Sequence, residues 1–353
     1  MLEIAHICAC KHYNAGDRYL LYCLRHRFNE FLGEVNWRVF DTCSLFSAED
    51  IESIRECAMV VIGGGGLILP DTWTTSPTGW QFGLTQEQLC EIDSPITVFA
   101  LGWNLFRGQL LSQAAASSLC ELSKRSCFFG FRHRADIVQA QICLGLSQKI
   151  DLSFCPSLAP PEAPLINGTV VGFVMAYDRP AFRFRGLDEE VRIVRELAQL
   201  VSILIKSLKQ RVFFYVHVAR DMEFVKRIVS AACCAYGVHV IALYGRSFGQ
   251  IRAAYEPVAM VFSMRGHGQM IPIGMGRKVV SLVTHDKITS LTNDLLLDRT
   301  TVELEGEDLC ERCLIAYEEA LHTDFKSRAH FASAQVKESI QVACCRAGLP
   351  IKC

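Results

Sequence analysis

Residues 168–218 read GTVVGFVMAYDRPAFRFRGLDEEVRIVRELAQLVSILIKSLKQRVFFYVHV. The first ten are apolar and rich in β-branched and aromatic side chains, which marks a buried strand. Over 188–210 the apolar residues Val191, Val194, Leu197, Val201, Leu204 and Leu208 recur every three or four positions, the spacing of one face of a helix. RVFFYVHV is again a strand, apolar from Val212 to Val216. A strand, an amphipathic helix and a second strand of this kind build a parallel pair with the helix laid across it, so the sheet is covered on both faces.

The same alternation extends in both directions. Downstream lie a helix at 221–237 ending at Gly237, a strand at 238–244, a helix at 247–257, the strand VAMVFSM at 258–264 and the strand KVVSLVT at 278–284. Upstream lie the strand LEIAHICA, a helix starting near Asp17, the strand WRVFDT and a helix at 48–57. AMVVIGGGGLIL, residues 58–69, is an apolar strand running into four glycines, and PITVFALGWN another buried strand. A helix at 112–126 and CFFGFRHRADIVQAQICLG, a strand, loop and helix, complete this half. The rhythm pauses only in the proline-rich CPSLAPPEAPLING, residues 155–168, which sets a domain boundary. The expected architecture is therefore α/β, with two open sheets: 1–160, 161–325, and a helical tail, 326–353, able to cross back to the first domain. The 353 residues suit two domains of roughly 100–200 each. Ligands of open α/β sheets sit beyond the carboxyl ends of the strands, so a cleft lined by the loops after strands is the place to seek chemistry.

Composition narrows the class. Half the residues are hydrophobic and the net charge is −1, which argues against a general attraction to nucleic acid or anionic membrane. No apolar run reaches 18 residues, and the amino terminus lacks a basic segment before a long apolar core. The expectation is a cytoplasmic chain with no integral membrane segment and no nucleic-acid partner. The 17 cysteines are scattered through apolar segments, as small hydrophobes are, rather than spaced as a disulfide framework. Cys310 and Cys313 form a CxxC without a second ligand pair, so no metal site is expected. Cys155, beside a proline, is a candidate reactive thiol.

Six strand-end loops carry candidates. Asn14-Ala15-Gly16-Asp17 reads either as a helix cap, with Asp17 capping and Asn14 in a turn, or as a pair of polar groups holding a hydroxylated ligand. Gly63–Gly66 allow close backbone approach, with Gly64 and Gly65 central, but match neither a dinucleotide fingerprint nor a phosphate-binding loop. Arg132, His133 and Arg134 form either a solvated basic loop or an anion clamp. His217 ends a strand, and Asp221 caps the helix that follows. Arg265 and His267 are separated and followed by Gly266 and Gly268, which let both side chains turn to one point. A helix start just beyond them would add its N–H groups, giving an anion site with a proton donor in it. Lys287 adds a cation after the next strand.

Taken in order, NAGD, the strand into GGGG, ITVFALGWN, FRHRAD, CPSLA, FYVHVARD, SMRGHGQMIPIGMGRKVVSL and HDK resemble the polysaccharide pyruvyl transferase family along most of the chain. The resemblance implies two Rossmann-like domains similar to GT-B glycosyltransferases, facing a central cleft. It implies transfer of the pyruvate carbons of phosphoenolpyruvate to hydroxyls of a sugar or glycan-like acceptor, with ketal formation and release of phosphate. No cofactor beyond that donor substrate is implied. On this reading His267 is the general acid and Arg265 assists it. Arg132, Arg265, Gly268 and Lys287 hold phosphoenolpyruvate, while Asn14, Asp17, Gly64, Gly65 and His217 face the acceptor. The chain departs from the family at His133, where an acid is common, at Cys155-Pro156 in place of Asp-Pro, and at Gly266 in place of an apolar residue. A nucleotide-sugar glycosyltransferase and a non-catalytic protein retaining the fold are the competing classes. The oligomeric state is left open, a homo-oligomer included.

Overall fold

The computed structural model describes residues 1–11, 13–106, 108–146, 150–161, 168–284 and 286–352. They form two six-stranded sheets in which every pairing is parallel. The first contains β1 (Leu2–Cys8), β2 (Val35–Asp41), β3 (Met59–Ile68), β4 (Ile96–Trp103), β5 (Ser126–Phe131) and β6 (Asp151–Leu152), in the order β2-β1-β3-β4-β5-β6. The second contains β7 (Val170–Val174), β8 (Arg211–Val216), β9 (Val238–Ala242), β10 (Val258–Ser263), β11 (Lys278–Val283) and β12 (Thr301–Glu303), in the order β12-β11-β10-β7-β8-β9. Central strands such as β4 and β7 are buried along their whole length, which explains their unbroken apolar sequences. The short β6 and β12 carry no hydrophobic run and are not legible in the sequence. No helix among the described residues is long and apolar enough to cross a membrane.

The chain divides into two compact units. One comprises Met1–His12, Leu20–Pro161 and Ser333–Cys353; the other comprises Tyr13–Tyr19 and Glu162–Ala332. The division falls inside the helix Ala15–Leu32, so its first turn, with Asn14 and Asp17, groups with the second unit, whereas the sequence reading had put it with the first. In the tail helix Phe325–Arg346, the last turns are tied to the first sheet. Ser339 Oγ donates to the Leu152 carbonyl at 3.1 Å, and Arg346 Nη1 donates to Asp151 at 2.6 Å.

The helix between β7 and β8 runs from Leu187 to Lys206 and buries Ile193, Val194, Leu197, Leu200, Val201 and Leu204. Burying each large aliphatic side chain contributes roughly 1.5–3 kcal/mol. Val191 lies outside this stripe and is 53% exposed, and Leu208 falls beyond the helix end. The helix after β8 stops at Ala231, short of Gly237, because the chain turns left-handed at Cys233 (φ 50°) and a short 3₁₀ turn, Ala235–Gly237, follows.

The four glycines are not a loop after a strand. β3 runs through them to Ile68, with φ of 115°, 81° and 135° at Gly63, Gly64 and Gly65. A Cβ on Gly63 would sit 2.6 Å from the Phe99 carbonyl oxygen, and one on Gly64 would sit 2.4 Å from Leu20 Cδ2. Glycine is required here for close packing inside the sheet. β4 answers with its own irregularity: Ala100 holds φ 51°, its N–H bonded to Ser153 Oγ at 2.8 Å.

In each sheet the direction of strand addition reverses once. The reversal lies between β1 and β3 in the first sheet and between β7 and β10 in the second. Crevices at such switch points, at the carboxyl ends of the strands, are where ligands of open α/β sheets are held.

Candidate active site

At the switch point of the second sheet, β10 ends at Ser263. Met264 N donates to the Val174 carbonyl of β7 at 2.9 Å, which keeps the two strand ends together. Ser263 Oγ accepts from Arg265 N at 3.1 Å and donates to the Arg265 carbonyl at 2.9 Å, turning the chain into the helix Gly266–Gly274. That helix starts earlier than the sequence suggested, so His267 belongs to its first turn rather than to an uncovered glycine loop. Gly268 is buried, and a Cβ there would lie 2.4 Å from Ser263 Oγ and 2.7 Å from Val174 Cγ1. Its need for glycine is steric.

Arg265 is only 13% exposed and is held by two carboxylates. Its Nε donates to Asp221 Oδ2 at 2.7 Å, and its Nη2 donates to Asp221 Oδ1 at 2.6 Å and to Asp178 Oδ1 at 2.7 Å. Asp221, wholly buried at the start of the helix after β8, also accepts from Tyr177 N at 2.9 Å. Asp178, in the turn after β7, accepts from Arg183 Nη2 at 2.9 Å and from Arg179 Nη1 at 3.2 Å. Arg183 reaches onward, Nη1 donating to Thr284 Oγ1 at 2.7 Å. Burial alone would lower the Arg265 pKa, but Asp221 and Asp178 outweigh it and hold the pKa above its ordinary value. At Arg183 burial prevails, aided by Arg265 and opposed by Asp178, and the pKa is lowered.

The second half of the site is Tyr13–Tyr19. Asn14 Oδ1 accepts from Gly16 N at 3.0 Å, so Asn14 caps the helix in place of Asp17. Ala15 N donates to the His217 carbonyl at 3.1 Å, Gly245 N to the Tyr13 carbonyl at 3.0 Å, and Tyr19 lies 4.7 Å from Phe248, ring to ring. Asp17 is thereby aimed at His267, with Oδ1 3.6 Å from Nδ1. Gly16 makes the approach possible: a Cβ there would fall 2.4 Å from both Cβ and Nδ1 of His267. The imidazole lies against bare backbone with a carboxylate at one nitrogen. A carboxylate in that position favours a proton on Nδ1, fixes the ring and stabilises its charged form, as needed for proton transfer from the other nitrogen.

Several predicted acceptor ligands have internal roles instead. The His217 imidazole is wholly buried, with Nε2 2.7 Å from Tyr255 OH, and burial together with Arg265 pushes its pKa down to about 3. Its functional contribution is the backbone carbonyl that anchors Ala15. Asn14 is a cap, and Gly64 and Gly65 are buried in β3. Cys155 is fully buried, and burial raises both thiols of the CxxC, Cys310 to about 11. The Lys287 side chain lies outside the described ones.

Arg132, in the first unit, is 3% exposed rather than solvated. Its Nη2 donates to Asn104 Oδ1 at 3.0 Å, Asn104 Nδ2 donates to the Gly66 carbonyl at 3.0 Å, and Arg132 Nε has no partner among the described residues. A Cβ on Gly102 would lie 2.4 Å from Arg132 Nη2, so that glycine keeps a slot for the guanidinium. A buried guanidinium with an open donor is suited to a carboxylate or phosphate. His133 is likewise buried, and only Arg134 of the three is exposed.

Sequence reading missed Asp178, Arg179 and Arg183. The signal was present in YDRPAFRF, a charge-dense break at the carboxyl end of β7. Asn104 and Gly102 lay in the quoted ITVFALGWN but gave no signal of their own.

Two parallel α/β sheets of this kind define a GT-B-like protein, and solved structures agree. UDP-GlcNAc 2-epimerase from Methanocaldococcus jannaschii matches with TM-score 0.56 at 8% identity, covering 92% of this chain and 93% of that one. S. aureus MnaA, in a UDP co-structure, matches with TM-score 0.54 at 10% identity over 96% and 91%. A UDP-glucosyltransferase from Polygonum tinctorium matches with TM-score 0.52 at 10% identity over 98% of both chains. Identity this low establishes shared architecture alone. No curated protein sequence matches significantly. The family model for polysaccharide pyruvyl transferase matches residues 14–286, and the chain belongs to that family.

Proposed function

We propose that the protein transfers pyruvate from phosphoenolpyruvate to hydroxyls of a sugar or glycan-like acceptor, with His267 as general acid. The observation that carries this reading is the Asp17 carboxylate 3.6 Å from His267 Nδ1, at the switch-point end of the second sheet in a member of this family. A proton from the imidazole goes to the methylene carbon of the donor, leaving a cation at the central carbon stabilised by its oxygen. An acceptor hydroxyl bonds to that carbon and loses its proton. The carbon–oxygen bond to phosphate breaks, phosphate takes the electron pair, and a second hydroxyl bonds to the same carbon and gives up its proton to the released phosphate, closing the ketal. Asp17 keeps the ring oriented and stabilises its protonated form, so its part is toward His267 and not toward the acceptor.

Arg265 has a narrower role than the sequence suggested. Two of its nitrogens are committed to carboxylates, and Nη1 alone is left to meet an anion. Its main work is to hold the strand ends in place. Arg132, whose Nε is unpartnered among the described residues, is the better anion ligand, and its loss should weaken donor affinity.

The test is phosphate release from phosphoenolpyruvate across a panel of hydroxylated acceptors, comparing wild type with His267→Gln. Acceptor-dependent release that falls at least 100-fold in the variant is expected, since general acids contribute roughly 10²–10⁴-fold. No release with any acceptor and no thermal stabilisation by phosphoenolpyruvate, alongside stabilisation by a UDP-sugar, would overturn the reading.

A further inference from the structure

We propose that Cys10 is a nucleophilic, peroxide-sensitive thiol at the switch point of the first sheet, with Cys8 as its resolving partner. The pair ends β1, beside β3, where the order of strands reverses. Cys8 is fully buried and Cys10 partly exposed, so one thiol is reachable and the other sits behind it. Cys10 N donates to the Cys8 carbonyl at 2.8 Å, an i to i+2 turn, and Thr42 N donates to the same carbonyl at 3.0 Å, which fixes the turn to the end of β2. Two residues span at most about 7 Å when extended. The turn shortens that, so the pair lies within bridging distance for a disulfide.

The cation nearest the pair contacts the inner thiol and reaches Cys10 only weakly. Arg25, from the helix Ala15–Leu32, donates from Nη2 to Cys8 Sγ at 3.7 Å and from Nε to His6 Nδ1 at 3.0 Å. No carboxylate pairs with Arg25 among the described residues, in contrast to Arg265. Because His6 accepts at Nδ1, its proton is on Nε2, 3.4 Å from the Gly63 carbonyl. Burial and then Arg25 hold His6 well below its ordinary pKa, so it adds no second charge. The other charged neighbours are Asp41 from β2, which disfavours a thiolate, and Lys11, 4.0 Å from Asp41. A hydrogen bond from the Cys8 thiol lowers Cys10 to about 7 against its own burial, while Cys8 is held well above the ordinary range and keeps its proton.

The chemistry follows. The Cys10 thiolate attacks one oxygen of hydrogen peroxide, the O–O bond breaks and hydroxide leaves, so Cys10 becomes a sulfenic acid. The Cys8 sulfur attacks the Cys10 sulfur, its proton goes to the departing hydroxyl as water, and a Cys8–Cys10 disulfide results. Overall the peroxide is reduced to water and two thiols are oxidised. A dithiol reductant reverses it.

The test uses the full chain and needs no knowledge of the transfer reaction. At neutral pH, limiting iodoacetamide should label Cys10 about tenfold or more faster than the exposed Cys90, Cys143, Cys233 and Cys345. Stoichiometric peroxide should give a Cys8–Cys10 disulfide in the wild type by peptide mass mapping. Cys8→Ala should instead trap a dimedone adduct on Cys10, and Cys10→Ser should give neither. Labelling of Cys10 no faster than the exposed cysteines, or a first oxidation product that excludes Cys10, would overturn the proposal. The wild-type labelling rates decide the matter even if a variant folds poorly.

Discussion

Gly16→Ala tests the geometry most directly, because two physical effects oppose each other there. In the first turn of a helix, alanine is preferred over glycine by about 1 kcal/mol, so propensity alone predicts a gain in stability. The new Cβ, however, would fall 2.4 Å from both Cβ and Nδ1 of His267 and 2.5 Å from Cγ. Carbon atoms rest at about 3.5–4.0 Å, so something must move by about 1 Å or more. Rotating the imidazole relieves the ring atoms but not the clash with His267 Cβ, which is fixed to its backbone. The helix Gly266–Gly274 or the segment Tyr13–Tyr19 has to shift, and overpacking of this kind costs about 1–3 kcal/mol. The net expectation is a loss of up to about 2 kcal/mol, or a melting temperature lower by about 4–8 °C for a unit of this size. The activity loss should be larger, since a 1 Å misplacement of a reacting group costs about 100-fold. Thermal unfolding and phosphate release measured on one preparation supply both readouts. A variant that melts at or above the wild-type temperature and turns over at the wild-type rate would refute the claim that Gly16 seats His267.

Asp221→Asn removes the buried bidentate partner of Arg265 and should cost about 3–5 kcal/mol in urea denaturation, because a buried cation loses half its compensation. His217 predicts acid sensitivity: above pH 6.5 it is neutral in both states, and below it the unfolded chain binds a proton that the native state refuses until about pH 3. Stability should therefore fall by about 1.4 kcal/mol per pH unit over that window from this residue, and His217→Gln should flatten the dependence measured between pH 6.5 and pH 5. Asp17→Asn keeps the shape of the carboxylate and removes its charge. It should lower turnover about tenfold or more with little change in melting temperature, and unaltered turnover would remove Asp17 from the mechanism. Gly102→Ala, whose Cβ would meet Arg132 Nη2 at 2.4 Å, should raise the KM for the donor about tenfold, the loss of one hydrogen bond to a charged group.

The sequence by itself determined the layered α/β architecture. Strand and helix periodicities are local, and β4 and β7, buried throughout, cannot be anything but unbroken apolar runs. It also pointed to the loop after β10, because composition changes abruptly there, and it singled out His267 through a pattern of residue types; the loop after β7, with Asp178 and Arg183, passed unnoticed. What each charge faces was decided only in three dimensions. Arg265 and Asp221 are 44 residues apart, and nothing local signals that one neutralises the other. The division within the helix Ala15–Leu32, which brings Asp17 to His267, depends on contacts over some 250 positions. The glycines show the same limit: their sequence says only that bulk is forbidden. Only the tertiary structure reveals whether the forbidden space is occupied by Leu20 beside Gly64, Arg132 beside Gly102, or the imidazole beside Gly16.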